Sequence, residues 1–366
     1  MENACKNCGD GFEILPEDEV FYGRMGFANP ENCPPCRYQR RLVFRNERNL
    51  YRRKCSATGK EIVSVFSEDK ALTVYATEYW WSDAWNAKDY GRDFDFSRPF
   101  FDQFKELFNA VPQLCINHSQ SENCEYTNQS QRNKDCYLIV ASNHNKDCYH
   151  GMWYQNCKDC MDCLYLEKSE LCYEVVNGTG CYYCTYSDNL ETCSDCHYCK
   201  NCIGCKDCFG SINLRNKQYY IFNEPYSKEA YFEKLKTLTP DRVASDAFFQ
   251  KFPHKYYNGK ITENFTGDYV QEVKNCFDVF NVRHAENLHH CSDVWEARNC
   301  YDLTETIEND FCLELEGSVT NVDTAFSMKM DTDHFCRYSA HCYFSKNLFG
   351  CVGIRNSEYC ILNKQY

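Results

Sequence analysis

Two cysteine pairs near the amino terminus carry the clearest chemistry in this sequence: Cys5-Lys-Asn-Cys8 and Cys33-Pro-Pro-Cys36, separated by 24 residues. A C-x2-C turn brings two thiolates to one ion, and four sulfurs complete a tetrahedral zinc shell. The expectation is one structural Zn2+ held by Cys5, Cys8, Cys33 and Cys36, with no coordination position left for substrate. Gly9 suits the tight turn after the first pair. Pro34 and Pro35 suit a helix start, where a missing N–H costs nothing and the helix dipole favours thiolate. A knuckle, an intervening hairpin using Phe12, Ile14, Val20 and Phe21, and a helix bearing the last two ligands would form a treble clef. Four packed thiols or two disulfides are the competing readings. They are weaker, because so few apolar residues would not fold without the metal.

The second ligand pair opens a basic stretch, residues 37–54, with eight cationic side chains against the single acid Glu47. The chain as a whole has a net charge of −13. The spacing of Arg37, Arg41, Arg45, Arg48 and Arg52 predicts one charged helical face, flanked by Arg40 and Arg53. Such a face either pairs with acidic segments of the same chain or meets nucleic acid or another acidic partner. The acidic balance argues against nucleic-acid binding over the whole surface.

Most of the 29 cysteines lie elsewhere, 24 of them between residues 115 and 360. The 16 from Cys115 to Cys208 are all separated by multiples of three. Every third residue from 115 to 214 is uncharged, whereas the other two frames carry all 20 charges of the stretch. One frame is therefore hidden from water. Over it runs a period of 12, from Cys124 and Cys136 through Cys196 and Cys208, often with Asp directly before the Cys. The frame returns from 276 to 363, with Asp333 as its only charge. Both modules close alike, Leu214 to Tyr226 matching Ile354 to Tyr366. Neither the helical nor the strand period has this form. A short fixed repeat with small inward residues predicts a β-solenoid of 12- or 24-residue coils. Inward cysteine is small, apolar and stackable, and the frame also accepts Ser, Leu, Val and Gly, which favours packing. Further soft-metal sites remain open for Cys157-Cys160-Cys163 and for Cys193 through Cys208. An iron–sulfur cluster is disfavoured, since no C-x3-C-P follows Cys163. Cys55 has no nearby second ligand and reads as a buried thiol.

The elements around these sites divide the chain into five segments. Residues 1–54 form the zinc domain with its basic helix. Residues 55–114 form an aromatic-rich α+β segment, with strands in KEIVSVF and ALTVYATEYWW and a helix begun by Ser97 and Pro99. Its Trp80, Trp81, Trp85, Phe100 and Phe104 are core candidates. Residues 115–226 are the first solenoid. Residues 227–263 are a helical cap, with helices opened by Ser227 and by Thr239-Pro240. Residues 264–366 are the second solenoid. The chain stops at Tyr366, where the first module begins its capping helix, so the expectation is that either the second module lacks its cap or the sequence is a fragment.

At about 8%, cysteine nears the level of a disulfide scaffold. Yet the start MENACKNCGD shows no secretory signal, and no long apolar run predicts a membrane helix. A cytoplasmic, reducing location with free thiols is the expectation. No membrane partner or small-molecule substrate is evident. His289 and His290, beside Cys291, are the nearest catalytic candidates, with ordinary solvated or core histidines as the alternative.

The motifs CKNCG, CPPCRYQRRL, YWWSDAWNAKDYGRDFDFSRPFFDQF and LRNKQYYIFNEPYSKEAY, with the cysteine repeats, resemble one family over the full length. These are the zinc-ribbon, cysteine-repeat proteins of ultra-small candidate-phylum bacteria, often labelled CaiB/BaiF-type CoA-transferases. That label implies a catalytic Asp in a knotted α/β fold. No βαβ pattern or matching motif accompanies it here, so no catalytic residue is carried over. The leading expectation is a non-enzymatic zinc scaffold that binds a macromolecular partner, nucleic acid or protein. A soft-metal or thiol-redox store and a CoA-transferase-like enzyme are the alternatives.

Overall fold

The computed structural model describes residues 2–43, 45–238, 242–280, 282–286, 292–295, 304–307, 315–319 and 327–366. The chain forms two compact units. One comprises residues 1–46, 71–113 and 255–366, and the other residues 47–70 and 114–254. The aromatic-rich segment expected to be continuous over 55–114 is thus divided between them. Each unit is mostly β and contains a solenoid of stacked coils.

The first unit begins with a hairpin, β1 (Glu2–Ala4) and β2 (Gly11–Glu13), paired antiparallel. Helix α1 (Pro16–Met25) follows, where the sequence predicts a hairpin. The cause is local. Pro16 opens the helix, Asp18 Oδ2 accepts from the Leu15 N–H at 2.8 Å, and Gly26 ends it with φ of 75°. Helix α2 (Pro34–Leu42) carries the second cysteine pair. The second unit begins with the hairpin β3 (Tyr51–Lys54) and β4 (Glu61–Ser64), which joins the solenoid through Val65 N–H to Cys115 O, 2.8 Å. In the first unit again lie the short helix α3 (Thr77–Trp80) and helix α4 (Phe100–Ala110). Helix α4 begins later than the sequence predicts, because Ser97 bonds Asp95 Oδ1 through both its N–H and its hydroxyl.

The solenoid of the second unit explains the triplet. Every third residue from Gln120 to Phe222 has a positive φ, and each directly precedes an inward residue. Left-handed backbone disfavours most L-residues but is tolerated by Gly, Asn and Asp. Asp135, Asp147, Asp159, Asp195 and Asp207 stand before core cysteines for this reason. One left-handed residue per triplet turns the chain at a corner, and four triplets close a coil. Strand partners lie 12 residues apart: Tyr137 opposite Tyr149, Leu164 opposite Val176, Cys196 opposite Cys208. The other solenoid takes the same register from Gly267, opposite Val279, as far as Leu348, opposite Cys360, after a one-residue shift following Phe265. The coil is therefore 12 residues, not 24.

Inward positions are buried along the rod, the cysteines from Cys136 to Cys208 forming one cluster with Ile139, Tyr154, Leu166, Val175 and Leu190. Tyr154 is the largest of these side chains, and its ring needs the space that Gly151 leaves. A Cβ on Gly151 would lie 2.0 Å from the Tyr154 ring. The Tyr154 hydroxyl accepts the Cys163 N–H at 2.7 Å.

Both modules end in the same device. Gln218–Ile221 turns back antiparallel onto Glu224–Pro225, and Glu358–Ile361 onto Lys364–Gln365. Asn223 Oδ1 accepts from Ile212 N–H and Asn363 Oδ1 from Val352 N–H, each at 2.8 Å. Helix α5 (Lys228–Thr237), capped by Ser227, then buries Tyr231 against Phe209 and Ile221. Helix α6 (Arg242–Phe249) adds Phe248 on Phe222 at 5.2 Å, while Thr239 and Pro240 lie outside the described residues. The second module is not bare at this end, which corrects the sequence expectation. Residues 71–113 cover it, with Phe100 on Phe349 at 5.0 Å and Asn363 Nδ2 donating to Ala87 O at 2.9 Å. Arg355 lies over the Trp80 and Trp85 rings at 5.1 and 5.2 Å. An open coil end exposes unpaired strand groups, so a cap has a physical purpose at both places.

Candidate metal centre and basic segment

Cys5 follows β1 and Cys8 sits three residues on in the turn. Gly9, with φ of 82°, lets its N–H return to Cys5 O at 2.9 Å. Cys33 is the N-cap of α2, and Cys36 lies in its first turn. The four sulfurs all lie within 4.8 Å of one another, so the group could hold a metal ion. Cys8 Sγ and Cys33 Sγ are 3.7 Å apart. Donors already surround the sulfurs: Cys33 N–H reaches Cys5 Sγ at 3.2 Å, and Asn7 Nδ2 reaches Cys36 Sγ at 3.3 Å. Lost hydration opposes ionisation of Cys5, but the N–H groups of Cys8, Cys33 and Asn7 outweigh it and bring the thiol down to about 6. Among the described residues no other His, Cys, Asp or Glu group meets this spacing.

The hairpin β3–β4 repeats this knuckle with one ligand fewer. Cys55 N–H to Lys60 O at 2.8 Å and Gly59 N–H to Cys55 O at 2.9 Å match Cys5 N–H to Asp10 O and Gly9 N–H to Cys5 O, both 2.9 Å. Thr58 occupies the place of Cys8. The signal was present in the sequence as C-x3-G in both turns.

The arginines do not share one helical face, which corrects the sequence reading. Helix α2 stops at Leu42, and Arg52 and Arg53 lie on β3. Arg37, Arg40, Arg41 and Arg45 belong to the first unit, and Arg48, Arg52 and Arg53 to the second. Arg37 and Arg41 are buried at 4% exposure, and Arg53 at 9%. Arg37 Nη1 donates to Tyr22 Oη at 2.9 Å, and Arg53 Nη1 to Ser67 O at 3.2 Å. Arg37 and Arg53 thus tie segments of their own units together and Arg41 is buried, whereas Arg40, Arg48 and Arg52 are exposed.

The solenoid thiols have partners of another kind. An inward residue's N–H points along the rod axis to the side chain 12 residues earlier. Cys157 N–H donates to Asn145 Oδ1 at 2.8 Å, Cys181 N–H to Ser169 Oγ at 3.1 Å, and Val175 N–H to Cys163 Sγ at 3.3 Å. The thiols in turn donate to carbonyls two residues back, as in Cys163 Sγ to Met161 O at 3.1 Å and Cys196 Sγ to Ser194 O at 3.3 Å. Cysteine, serine and asparagine share a heteroatom at the right distance from the backbone, which is why this frame prefers them. Burial pushes the Cys163 and Cys351 thiols up to about 12. The cysteines with described side chains are all free. His289, His290 and Cys291 lie outside the described residues.

Comparison with protein-family models finds no match, and comparison with curated proteins finds none either. Among solved structures the chain is similar to one described as a "putative acetyltransferase from Desulfovibrio desulfuricans G20", at 9% identity and a TM-score of 0.13, over 63% of each chain. Among the described residues no helix is long and apolar enough to cross a membrane.

Proposed function

We propose that this protein is a non-enzymatic zinc-binding scaffold that presents its solenoid surface and exposed arginines to a macromolecular partner. Zn2+ is the ion assigned to Cys5, Cys8, Cys33 and Cys36, in a treble-clef-like arrangement of a knuckle and a first helical turn. The Cys8–Cys33 sulfur separation of 3.7 Å supports this. Two ligands of a tetrahedral zinc with Zn–S near 2.3 Å stand about 3.8 Å apart. Four sulfurs leave no open position, so the ion's part is to fold the amino-terminal segment.

The observation that carries the scaffold reading is the bonding of the solenoid thiols. Their S–H groups donate to backbone carbonyls, and at Cys163 the sulfur also accepts the Val175 N–H, so the cysteines serve the coil rather than a cargo. A thiol store would have to break these bonds for each ion taken up. Elemental analysis of anaerobically purified protein, with thiol counting in denaturant, tests this. One zinc per chain is expected, with free thiols at nearly all the other 25 cysteines. Several equivalents of zinc or copper would overturn the scaffold in favour of the store. The nucleic-acid form of the reading is tested by retention of RNA, DNA or ribosomes on the immobilised protein. Failure to retain any of them at low salt would sink it.

A further inference from the structure

Between its inward corners the first solenoid presents four faces, each two residues wide and one coil deep per step. One is aromatic. It comprises Tyr126, Tyr137, Tyr149, Tyr173, Tyr186 and Tyr198, with Met161 and two histidines between them. The rings contact one another along the rod: Tyr126 and Tyr137 at 5.5 Å, Tyr173 and Tyr186 at 5.3 Å, Tyr186 and Tyr198 stacked at 4.8 Å. Tyr149 and Met161 remain 38% and 41% exposed. The charged groups on this face from 125 to 198 are Glu125, Asp162 and Glu174; it bears no Lys or Arg. The neighbouring face differs: Lys134, Lys146 and Lys158 lie in register there and pair with Glu122, Asp147 and Asp159.

We propose that this aromatic face docks an extended, arginine-bearing segment of a partner protein, laid along the rod. The proposal rests on the scaffold reading and names its partner class. Three observations support it. The charge on the face is negative and set among ring faces, which attract guanidinium groups and repel phosphate. An arginine already meets the first rung, where Arg52 Nη2 donates to the Tyr126 hydroxyl at 3.4 Å. The spacing also fits: three residues of polyproline II rise about 9.3 Å, and two coils about 9.5 Å. A side chain repeated every third residue therefore meets an equivalent position at every second coil.

The test is fluorescence anisotropy of the zinc-loaded, full-length protein with labelled peptides of repeated Arg-Pro-Pro, Ala-Pro-Pro and Glu-Pro-Pro. Binding of the arginine peptide alone is expected. Asp162→Lys and Tyr149→Ala are each expected to weaken it about tenfold, whereas Tyr149→Phe and Asp159→Lys, on the neighbouring face, leave it within about twofold. Circular dichroism melts confirm that these surface variants fold. No binding of the arginine peptide overturns the proposal, as does equal binding of the glutamate peptide or indifference to Asp162→Lys. Displacement of the peptide from this face by oligouridylate at equal concentration also overturns it, by assigning the face to nucleic acid. None of these outcomes alters the zinc stoichiometry, so the scaffold reading fails or stands separately.

Discussion

Cys163 separates two explanations of the cysteine-rich core. If cysteine is there only as a small apolar residue, Val should replace it well. If its sulfur is needed as an acceptor, Ser should. Cys163 Sγ accepts the Val175 N–H at 3.3 Å and donates to Met161 O at 3.1 Å, at a site 4% exposed. Cys163→Ala leaves the buried Val175 N–H unpaired, costing about 1–3 kcal/mol, and the lost volume adds about 1 kcal/mol. The sum is about 2–4 kcal/mol. Cys163→Val fills the volume but supplies no acceptor, so about 1–3 kcal/mol remains. Cys163→Ser retains both bonds and should cost no more than about 1 kcal/mol, as Ser169 already does this work for Cys181 at 3.1 Å. The assay is urea unfolding of the full chain under reducing conditions, with hydrogen exchange at the Val175 amide as the local readout. The expected order of stability is wild type, Ser, Val, Ala, with faster Val175 exchange in the last two. A Val variant at least as stable as the Ser variant, with Val175 protection unchanged, would refute the argument.

Chelation of the proposed zinc should melt the amino-terminal segment and free Cys5, Cys8, Cys33 and Cys36 for alkylation while the buried solenoid thiols stay protected; equal alkylation of both sets would contradict this. Gly151→Ala should be strongly destabilising, because its Cβ would lie 2.0 Å from the Tyr154 ring, and adding Tyr154→Leu should recover part of the loss in thermal melts. Alkaline pH should destabilise both solenoids. Cys163 and Cys351 are raised from 9.0 to about 12 when folded, so the native state holds more protons between those values. Their contribution is complete below about pH 9 and is lost as pH rises towards 12, and a melting temperature unchanged up to about pH 11 would count against it. Asn363→Ala should loosen residues 71–113 from the coil end, since Asn363 Nδ2 bonds both Ala87 O and Val352 O; proteolysis within 71–113 reads this out.

Much of the candidate site was legible. The C-x2-C pairs announced the four-sulfur group because a shared ion requires paired ligands on tight turns, and Gly9 and the two prolines marked those turns. The triplet frame announced a solenoid because burial there depends on position alone. The Asp before five of the eight repeated cysteines was visible too, but its meaning as a left-handed corner needed the backbone. The arginine stripe misled. A spacing of three and four residues describes a helical face only if the helix continues, and α2 ends at Leu42.

The inward frame follows from the sequence alone, since charge is excluded from positions that water cannot reach; packing outside the coil also buries Val140, Trp153 and Phe209, which lie off that frame. The sequence also determined the shared ending of the two modules, where Asn223 and Asn363 make the same bonds to the preceding coil. Coil length was decided only by tertiary structure, because a period of three fits any whole number of triplets. Closure at four comes from N–H groups meeting acceptors 12 residues earlier. Tertiary structure also decided the cap of the second module. Residues 71–113 reach Ala340 to Tyr366 by folding back across the chain, and no local pattern encodes a contact between segments so far apart.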